Sequence, residues 1–186
     1  MTLWIQTYSG KKFTIPDIDP ETITVEDIAH ALSNQCRFAG HCNSFYSVAE
    51  HSIYVSNKVP PEHALEGLFH DAAEAYLGDL TAPVKAMFPE FKRIEQNVLR
   101  AIFERIGLKF PPPPIIKEID TRMLLTEKHE LMQDAPEAWF CDELESFDQH
   151  IYCWEPKEAE KMFLRVAKNL IPHRYFQNVL YRGRGS

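Results

Sequence analysis

The sequence contains no long hydrophobic run and nothing that resembles an export signal. Its uninterrupted apolar stretches are only a few residues long, whereas a helix needs roughly 20 such residues to span a bilayer. The segment Met1–Gly10 lacks the basic start and the apolar core of a secretory signal peptide. These absences predict a cytoplasmic protein that does not associate with membranes.

Cysteine is also scarce, and its four positions form no CxxC pair and no repeated spacing. A chain of this size without an export signal is not expected to contain a disulfide framework, so reduced thiols are predicted. Cys36 and Cys42, with His41 between them, leave open a zinc site, although a matching second pair of ligands is missing.

Positive charge is in deficit, because 20 Lys and Arg face 27 Asp and Glu and the formal net charge is -7. This balance argues against binding to a nucleic-acid polymer or to an anionic membrane. A small anionic ligand is still possible where cations or a metal ion gather locally. The length of 186 residues and the hydrophobic content of 45% are typical of one globular domain with a full core.

After a short N-terminal segment, the apolar residues follow the helical period. Residues 3–15 turn at Ser9-Gly10 and predict a β-hairpin. Helices are predicted over residues 24–32, 44–57, 61–77, 90–106 and 115–132, and from Pro156 onward. Residues 33–43 and 79–89 are predicted to be loops. The expected fold is mostly α, a single domain over residues 1–186 with residues 1–20 as a hairpin appendage.

Polar side chains gather on one side of the predicted third helix. His70, Asp71 and Glu74 lie close together there, since residues three and four apart share a helical face. An imidazole beside two carboxylates suits Mn, Fe, Co, Zn or Mg. An ordinary charged surface is the alternative for this helix taken alone.

Two further polar residues lie on apolar stripes of other helices. Asp120 falls within the stripe of the helix over residues 115–132, and Lys117 and Arg122 are predicted to lie on other faces of that helix. A carboxylate aimed at a core needs a partner or a metal. His51 poses the same question in the second helix, where a satisfied core histidine is the alternative. Two histidines and two aspartates from three helices predict a shared metal ion.

The spacing of these four residues resembles the H…HD…D signature of the HD-domain metal-dependent phosphohydrolases. The signature corresponds here to His51, His70, Asp71 and Asp120. The surrounding segments 48–52 and 70–85 are similar to those of the 5′-deoxynucleotidase branch, and the phage dATP triphosphohydrolases share the same scaffold. The resemblance covers roughly residues 24–132 and implies an HD-type helical bundle.

The resemblance also implies roles for individual residues. The four signature residues would hold a divalent cation, Co, Mn, Zn or Mg, that activates water for attack on the α-phosphorus of a (deoxy)nucleotide. Glu74 and Asp79 would divide the acid and base work, and which does which is left open. Arg37, Phe38 and Lys85 would bind substrate, with the guanidinium offering two parallel donors to phosphate. Phe38 stands where the nucleotidase branch usually has Trp.

Alternatives stay open at this point. Both a monophosphate and a triphosphate fit the signature, with dATP triphosphohydrolase as the leading triphosphate option. A catalytically silent nucleotide-binding sensor, or another HD phosphodiesterase or alarmone hydrolase, is possible on the same scaffold. Members of the superfamily commonly form homo-oligomers. The aromatic candidates for an interface are Trp139, Phe140, Tyr175 and Phe176.

Overall fold

The computed structural model describes residues 3–179, apart from the side chains of residues 176–178, and this part of the chain is mostly helical. Strands β1 (Trp4–Gln6) and β2 (Lys12–Thr14) pair antiparallel as one small sheet. The helices are α1 (Val25–Ser33), α2 (Val48–Lys58), α3 (Ala64–Phe69), α4 (Glu74–Leu77), α5 (Ala82–Met87), α6 (Pro89–Ile106), α7 (Pro114–Leu131), α8 (Pro156–Leu170) and α9 (His173–Val179). The predicted mostly α fold with an N-terminal hairpin is confirmed.

The hairpin is attached to α1 and α4 through one ring and one carboxylate. Phe13 of β2 is fully buried and stacks on Tyr76, with 4.0 Å between ring centroids. Thr24 caps α1 by accepting from the Asp27 N–H at 3.1 Å, as its sequence position predicts. The Asp27 side chain accepts from the Thr24 hydroxyl at 2.8 Å and from the Ser9 N–H at 2.6 Å. The cap of the first helix therefore also holds the turn of the hairpin.

Helix α2 lies in the centre of the protein and packs against α1, α3, α7 and α8. All of its residues from Val48 to Ser56 are buried. A Cβ on Gly67 of α3 would lie 3.0 Å from the Cα of Ser56, so glycine permits the close approach of these two helices. The central position of α2 buries His51 completely.

The predicted helix over residues 61–77 is interrupted between the end of α3 at Phe69 and the start of α4 at Glu74. Across the break the Ala72 N–H donates to the Phe69 carbonyl at 3.0 Å, and the Glu74 N–H donates to the Asp71 carbonyl at 2.9 Å. Bonds to the third preceding residue wind the backbone more tightly than an α-helix does. This tight turn contains His70 and Asp71.

Other differences are smaller. Helix α2 begins after Ser47, whose hydroxyl accepts from the Glu50 N–H at 3.1 Å, and not at residue 44. The predicted loop over residues 79–89 contains α5, and α9 was not predicted. Helices α6 and α7 agree with the prediction to within a residue or so at each end. None of the helices within residues 3–179 has the length and apolar character needed to cross a membrane.

Candidate metal centre and substrate cavity

The four residues of the signature meet at one point, from α2, from the turn after α3, and from α7. Each offers one ligand atom, and these atoms all lie within 4.8 Å of one another. The Nε2 atoms of His51 and His70 are 3.2 Å apart. Asp120 Oδ1 lies 3.2 Å from His51 Nε2, and Asp71 Oδ2 lies 3.2 Å from His70 Nε2. Ligand atoms about 2.1 Å from a common ion have separations of about 3 Å, so this group is able to hold a metal ion.

The hydrogen bonds of the two histidines test whether a metal fits. His70 Nδ1 donates to the Gly67 carbonyl at 2.8 Å, and His51 Nδ1 donates to Glu127 at 2.5 Å. Because a carbonyl and a carboxylate only accept, the protons of the neutral rings lie on Nδ1 and the lone pairs on Nε2. When both rings are neutral, two nitrogen lone pairs and two carboxylate oxygens converge. This donor set requires a positive charge and suits a divalent cation.

The pKa values of these groups reflect the same concentration of charge. Burial of His70 disfavours its charged form, but Asp71 and Asp120 together raise the pKa of this imidazole to about 10. Burial also works against the ionised carboxylates, yet the two histidines hold the pKa of Asp71 and that of Asp120 below their usual range. Both aspartates therefore stay ionised and attract a cation to the centre.

Asp120 has a partner that its sequence position does not predict. Lys117 Nζ lies 2.8 Å from Asp120 Oδ2, so the expectation that Lys117 faces elsewhere on the helix is wrong. The i, i+3 spacing brings the flexible lysine within reach of the carboxylate. Arg122 does point away, and its Nε donates to the Glu145 carbonyl at 2.8 Å. Lys117 thus occupies one oxygen of Asp120 and leaves the other for the centre.

Glu127 is a fully buried acid that the sequence motifs do not single out. Its Oε1 accepts from His51 Nδ1 at 2.5 Å and from the Tyr46 hydroxyl at 2.7 Å. Its Oε2 accepts from Arg37 Nη2 at 3.0 Å. Glu127 follows Asp120 by seven residues, and this spacing on one helical face is the signal that could have found it. One carboxylate therefore contacts both a ligand residue and the predicted phosphate-binding arginine.

Arg37 lies at the edge of the centre, and only 8% of it is exposed. Its Nε and Nη2 face Glu127 at 3.2 and 3.0 Å, while Nη1 lies 3.6 Å from Asp71 Oδ2. Burial works against the charged guanidinium, but Glu127 and Asp71 hold the pKa of Arg37 above its usual value. The pair of parallel donors expected for phosphate is occupied by Glu127, so the Nη1 side is the part of the guanidinium left for an anion.

One cavity of about 1020 Å³ connects these groups. Every residue predicted for the site lines it except His51, which lies buried behind it. Pockets for small ligands commonly measure about 300–1,000 Å³, so a nucleotide has room here. The cavity brings the predicted catalytic acids and the predicted ligands to the same space.

Glu74 and Lys85 form a pair within this cavity. Lys85 Nζ donates to Glu74 Oε1 at 2.8 Å and to Glu95 Oε1 at 2.7 Å, so this lysine is engaged by two carboxylates, although a phosphate contact was expected of it. Glu74 Oε2 is buried without a hydrogen-bond partner among residues 3–179. Burial, together with the charges of Asp71 and Asp79, raises the pKa of Glu74 well above its usual value, while Lys85 lowers it.

Asp79 lies just beyond α4 and also lines the cavity. Its backbone N–H donates to the side-chain carbonyl of Gln35 at 3.0 Å. Burial raises the pKa of Asp79, while the nearby Arg37 works in the opposite direction. Two acids with raised pKa values beside a candidate metal centre are typical of proton-handling groups.

The loop before α2 places an aromatic ring beside Arg37. Phe38 has a positive φ of 56°, and the Arg37 guanidinium lies 5.5 Å from the centre of its ring. The thiols of Cys36 and Cys42 are 3.5 Å apart. In the described part of the chain these cysteines and His41 form no metal-binding group, so the alternative of a zinc site is not supported.

Two of the four aromatic residues expected at an interface line the cavity, namely Trp139 and Phe140. Tyr175 packs against Gly107, where a Cβ would lie 2.3 Å from its ring. The Phe176 side chain lies outside the described residues. A homo-oligomer stays a prediction.

The fold and the site together define a mostly helical protein with a candidate metal centre at one cavity. No known family model matches the chain. It is 44% identical over 140 residues to the uncharacterized protein YfdR of Escherichia coli K12. The matched region covers 73% of this chain and 76% of YfdR. It is also 34% identical over 124 residues to the uncharacterized protein RCAP_rcc00048 of Rhodobacter capsulatus, spanning 61% of this chain and 63% of that protein. The chain belongs to the same family as YfdR.

Proposed function

We propose that this protein is a metal-dependent phosphohydrolase of the HD-domain superfamily that acts on (deoxy)nucleotides. The observation that supports this proposal is the convergence of His51, His70, Asp71 and Asp120 within 4.8 Å at a cavity. The same cavity contains a buried arginine and two acids with raised pKa values. A metal site, an anion-binding group and proton-handling groups are the components that phosphate-ester hydrolysis requires.

The four side chains would bind one divalent cation through two imidazole nitrogens and two carboxylate oxygens, a set that suits Mn, Co, Zn or Mg. When bound, this cation supplies Lewis acidity, which lowers the pKa of water and withdraws charge from the phosphoryl group. Glu127 would keep the proton of His51 on Nδ1, 2.5 Å from its own carboxylate. Gly67 has the same role for His70 through its carbonyl.

Glu74 and Asp79 would handle the protons of the reaction. Hydrolysis delivers the oxygen of water to phosphorus and a proton to the leaving oxygen, so one group accepts a proton and another donates one. Glu74 is the better candidate to exchange a proton with the attacking water, because its Oε2 has no hydrogen-bond partner within residues 3–179. Asp79 would then serve the leaving group from the loop after α4.

The charges of the cavity favour a monophosphate over a triphosphate. Lys85 is paired with Glu74 and Glu95, and Lys117 is paired with Asp120. Arg37 shares its charge with Glu127. The chain's own carboxylates thus neutralise most of the cations that β- and γ-phosphates would need. Lys92 lines the same cavity and forms no ion pair with the residues that the structure describes.

A chromatographic product assay tests the proposal. The protein is incubated with deoxy- and ribonucleoside mono-, di- and triphosphates, each with Mn, Co, Mg or Zn. We expect nucleoside and orthophosphate from the monophosphates, whereas tripolyphosphate from dATP would reverse the assignment of substrate. Asp71→Ala should abolish turnover, while the exposed control Glu62→Gln should retain it. Failure of the wild-type protein to turn over any of these compounds, together with measurable nucleotide binding, would identify a sensor.

A further inference from the structure

Three aromatic side chains line the cavity of the candidate metal centre. Phe38 precedes α2, whereas Trp139 and Phe140 belong to the segment between α7 and α8. That segment lies beyond the region of resemblance to the HD phosphohydrolases. The rings of Phe38 and Trp139 approach to 6.3 Å between centroids at an interplanar angle of 48°.

Trp139 is held in place by α7, the helix that carries Asp120. Its backbone N–H donates to Asp142 Oδ2 at 2.8 Å, and Lys128 Nζ donates to Asp142 Oδ1 at 2.5 Å. The same ammonium lies 5.2 Å from the centre of the Trp139 ring. This cation–π contact and the two hydrogen bonds fix the indole relative to the metal centre.

Phe140 differs from Trp139 because 76% of it is exposed. The next residue, Cys141, is completely buried and anchors the chain on the other side of this ring. Exposed apolar side chains are typical of ligand-binding grooves and of protein interfaces. The position of Phe140 in the cavity of the candidate metal centre favours a ligand.

The position of Phe38 indicates which part of a ligand reaches these rings. Phe38 directly follows Arg37, and the guanidinium lies 5.5 Å from the centre of the phenyl ring. A phosphate bound by Arg37 therefore places the remainder of its ester next to Phe38. A planar aromatic ring suits a group of three aromatic side chains, because it can stack on their π-faces.

We propose that Phe38, Trp139 and Phe140 form a subsite for the aromatic base of a nucleotide whose phosphate is bound at the metal centre. This inference rests on the proposed phosphohydrolase function for the phosphate, but the base subsite is testable without it. Stacking of a base on an aromatic side chain is commonly worth a factor of about 5 to 100 in binding.

The first experiment follows the fluorescence of the three tryptophans, Trp4, Trp139 and Trp154, during titration with deoxyadenosine, which has a base and no phosphate. We expect quenching in the wild-type protein, its loss in Trp139→Phe, and an apparent Kd about 5- to 100-fold weaker in Phe140→Ala. Tyr152→Ala is the matched control, because Tyr152 is an exposed aromatic residue of the same segment that does not line the cavity. An affinity equal to wild type in Phe140→Ala would overturn the proposal.

The second experiment compares hydrolysis of deoxyadenosine monophosphate with that of 2-deoxyribose 5-phosphate, which lacks the base. In Phe140→Ala the ratio of the two kcat/KM values should fall about 5- to 100-fold, and in Tyr152→Ala it should not change. An unchanged ratio in Phe140→Ala argues against the subsite. If the wild-type protein hydrolyses neither these two compounds nor any di- or triphosphate of the product assay, but still binds deoxyadenosine through Phe140, the phosphohydrolase fails and the base subsite stands.

Discussion

Glu127 Oε1 lies 2.5 Å from Nδ1 of His51, and both side chains are completely buried. The other oxygen of Glu127 accepts from Arg37. A carboxylate that binds the outer nitrogen of a ligand histidine fixes the ring and increases its basicity. The candidate metal ligand and the candidate phosphate-binding group therefore depend on one buried side chain.

The first prediction concerns Glu127→Gln. The amide is similar in size to the carboxylate but lacks the negative charge that holds His51 and Arg37, so the affinity for Mn²⁺ should fall about 10- to 100-fold. Isothermal titration calorimetry with Mn²⁺ measures this change, and thermal unfolding checks that the variant is folded. Glu118→Gln, an exposed acid on the same helix, is the control. An equal Mn²⁺ affinity in both variants would contradict a positioning role for Glu127.

The second prediction concerns the protons displaced by a metal. The pKa of His70 is raised to about 10, so at pH 8 its ring carries a proton that a metal at Nε2 must replace. Burial works against the charged form of His51, but Glu127 and Asp120 raise the pKa of this second ligand histidine as well. Binding should therefore release about one to two protons at pH 8, and the affinity should fall as the pH decreases below about 10. Calorimetry in two buffers with different ionisation enthalpies measures the number released. Binding without proton release at pH 8 would count against His70 as a ligand.

The raised pKa of His70 also makes the stability of the folded protein depend on pH. The folded-state pKa of His70, about 10, lies above the usual value of about 6.5. The contribution of His70 to the free energy of unfolding is therefore complete below about pH 6.5 and is lost as the pH rises toward 10. The metal-free protein should lose stability over this range, and added Mn²⁺ should restore it. Thermal unfolding at a series of pH values, with and without a chelator, measures the effect.

The third prediction concerns Lys85→Met. Lys85 Nζ lies 2.8 Å from Glu74 and lowers the pKa of that carboxyl, so removing the ammonium should raise it further. The limb of the pH profile of kcat/KM that reports Glu74 should shift to higher pH. Steady-state kinetics between pH 5 and 9 measures the shift, and Lys161→Met, on the exposed side of α8, is the control. A shift to lower pH would exclude the assignment of that limb to Glu74.

The fourth prediction concerns stability away from the site. Glu50 is completely buried and accepts from the Tyr54 hydroxyl at 2.9 Å and from the backbone N–H groups of Tyr152, Cys153 and Trp154 at 2.7 to 3.1 Å. Glu50→Ala leaves these donors without an acceptor. The free energy of unfolding should fall by about 3 kcal/mol.

Urea denaturation measures this change, with the exposed Glu62→Ala as the reference. The reference should stay within about 0.5 kcal/mol of wild type, as is usual for surface substitutions. A similarly small change for Glu50→Ala would mean that solvent replaces the lost acceptor.

Local spacing was sufficient to predict the hairpin, the long helices α6 and α7, and the four residues that converge at the centre. These features depend on periodicity and on neighbours within one turn of helix. The ion pair of Lys117 with Asp120 was within the same range, but a helical-face argument ignores how far a lysine side chain reaches.

The role of Glu127 could not be predicted from local spacing, because its partners Arg37, Tyr46 and His51 precede it by 90, 81 and 76 residues. The close packing of α3 on α2, where Gly67 has no room for a side chain, also depends on tertiary structure. The helical period of the sequence favoured a continuous helix over residues 61–77, and that period did not show the interruption between α3 and α4.

The tight turn between α3 and α4 also bears on protein engineering. Consecutive residues of a regular α-helix point about 100° apart, yet His70 Nε2 and Asp71 Oδ2 lie 3.2 Å from each other. A designer who copies only the His-Asp dipeptide onto an uninterrupted helix would transfer the residue types without this geometry. A successful graft has to include the break itself, from Gly67, whose carbonyl accepts a hydrogen bond from His70, to Glu74, where α4 begins.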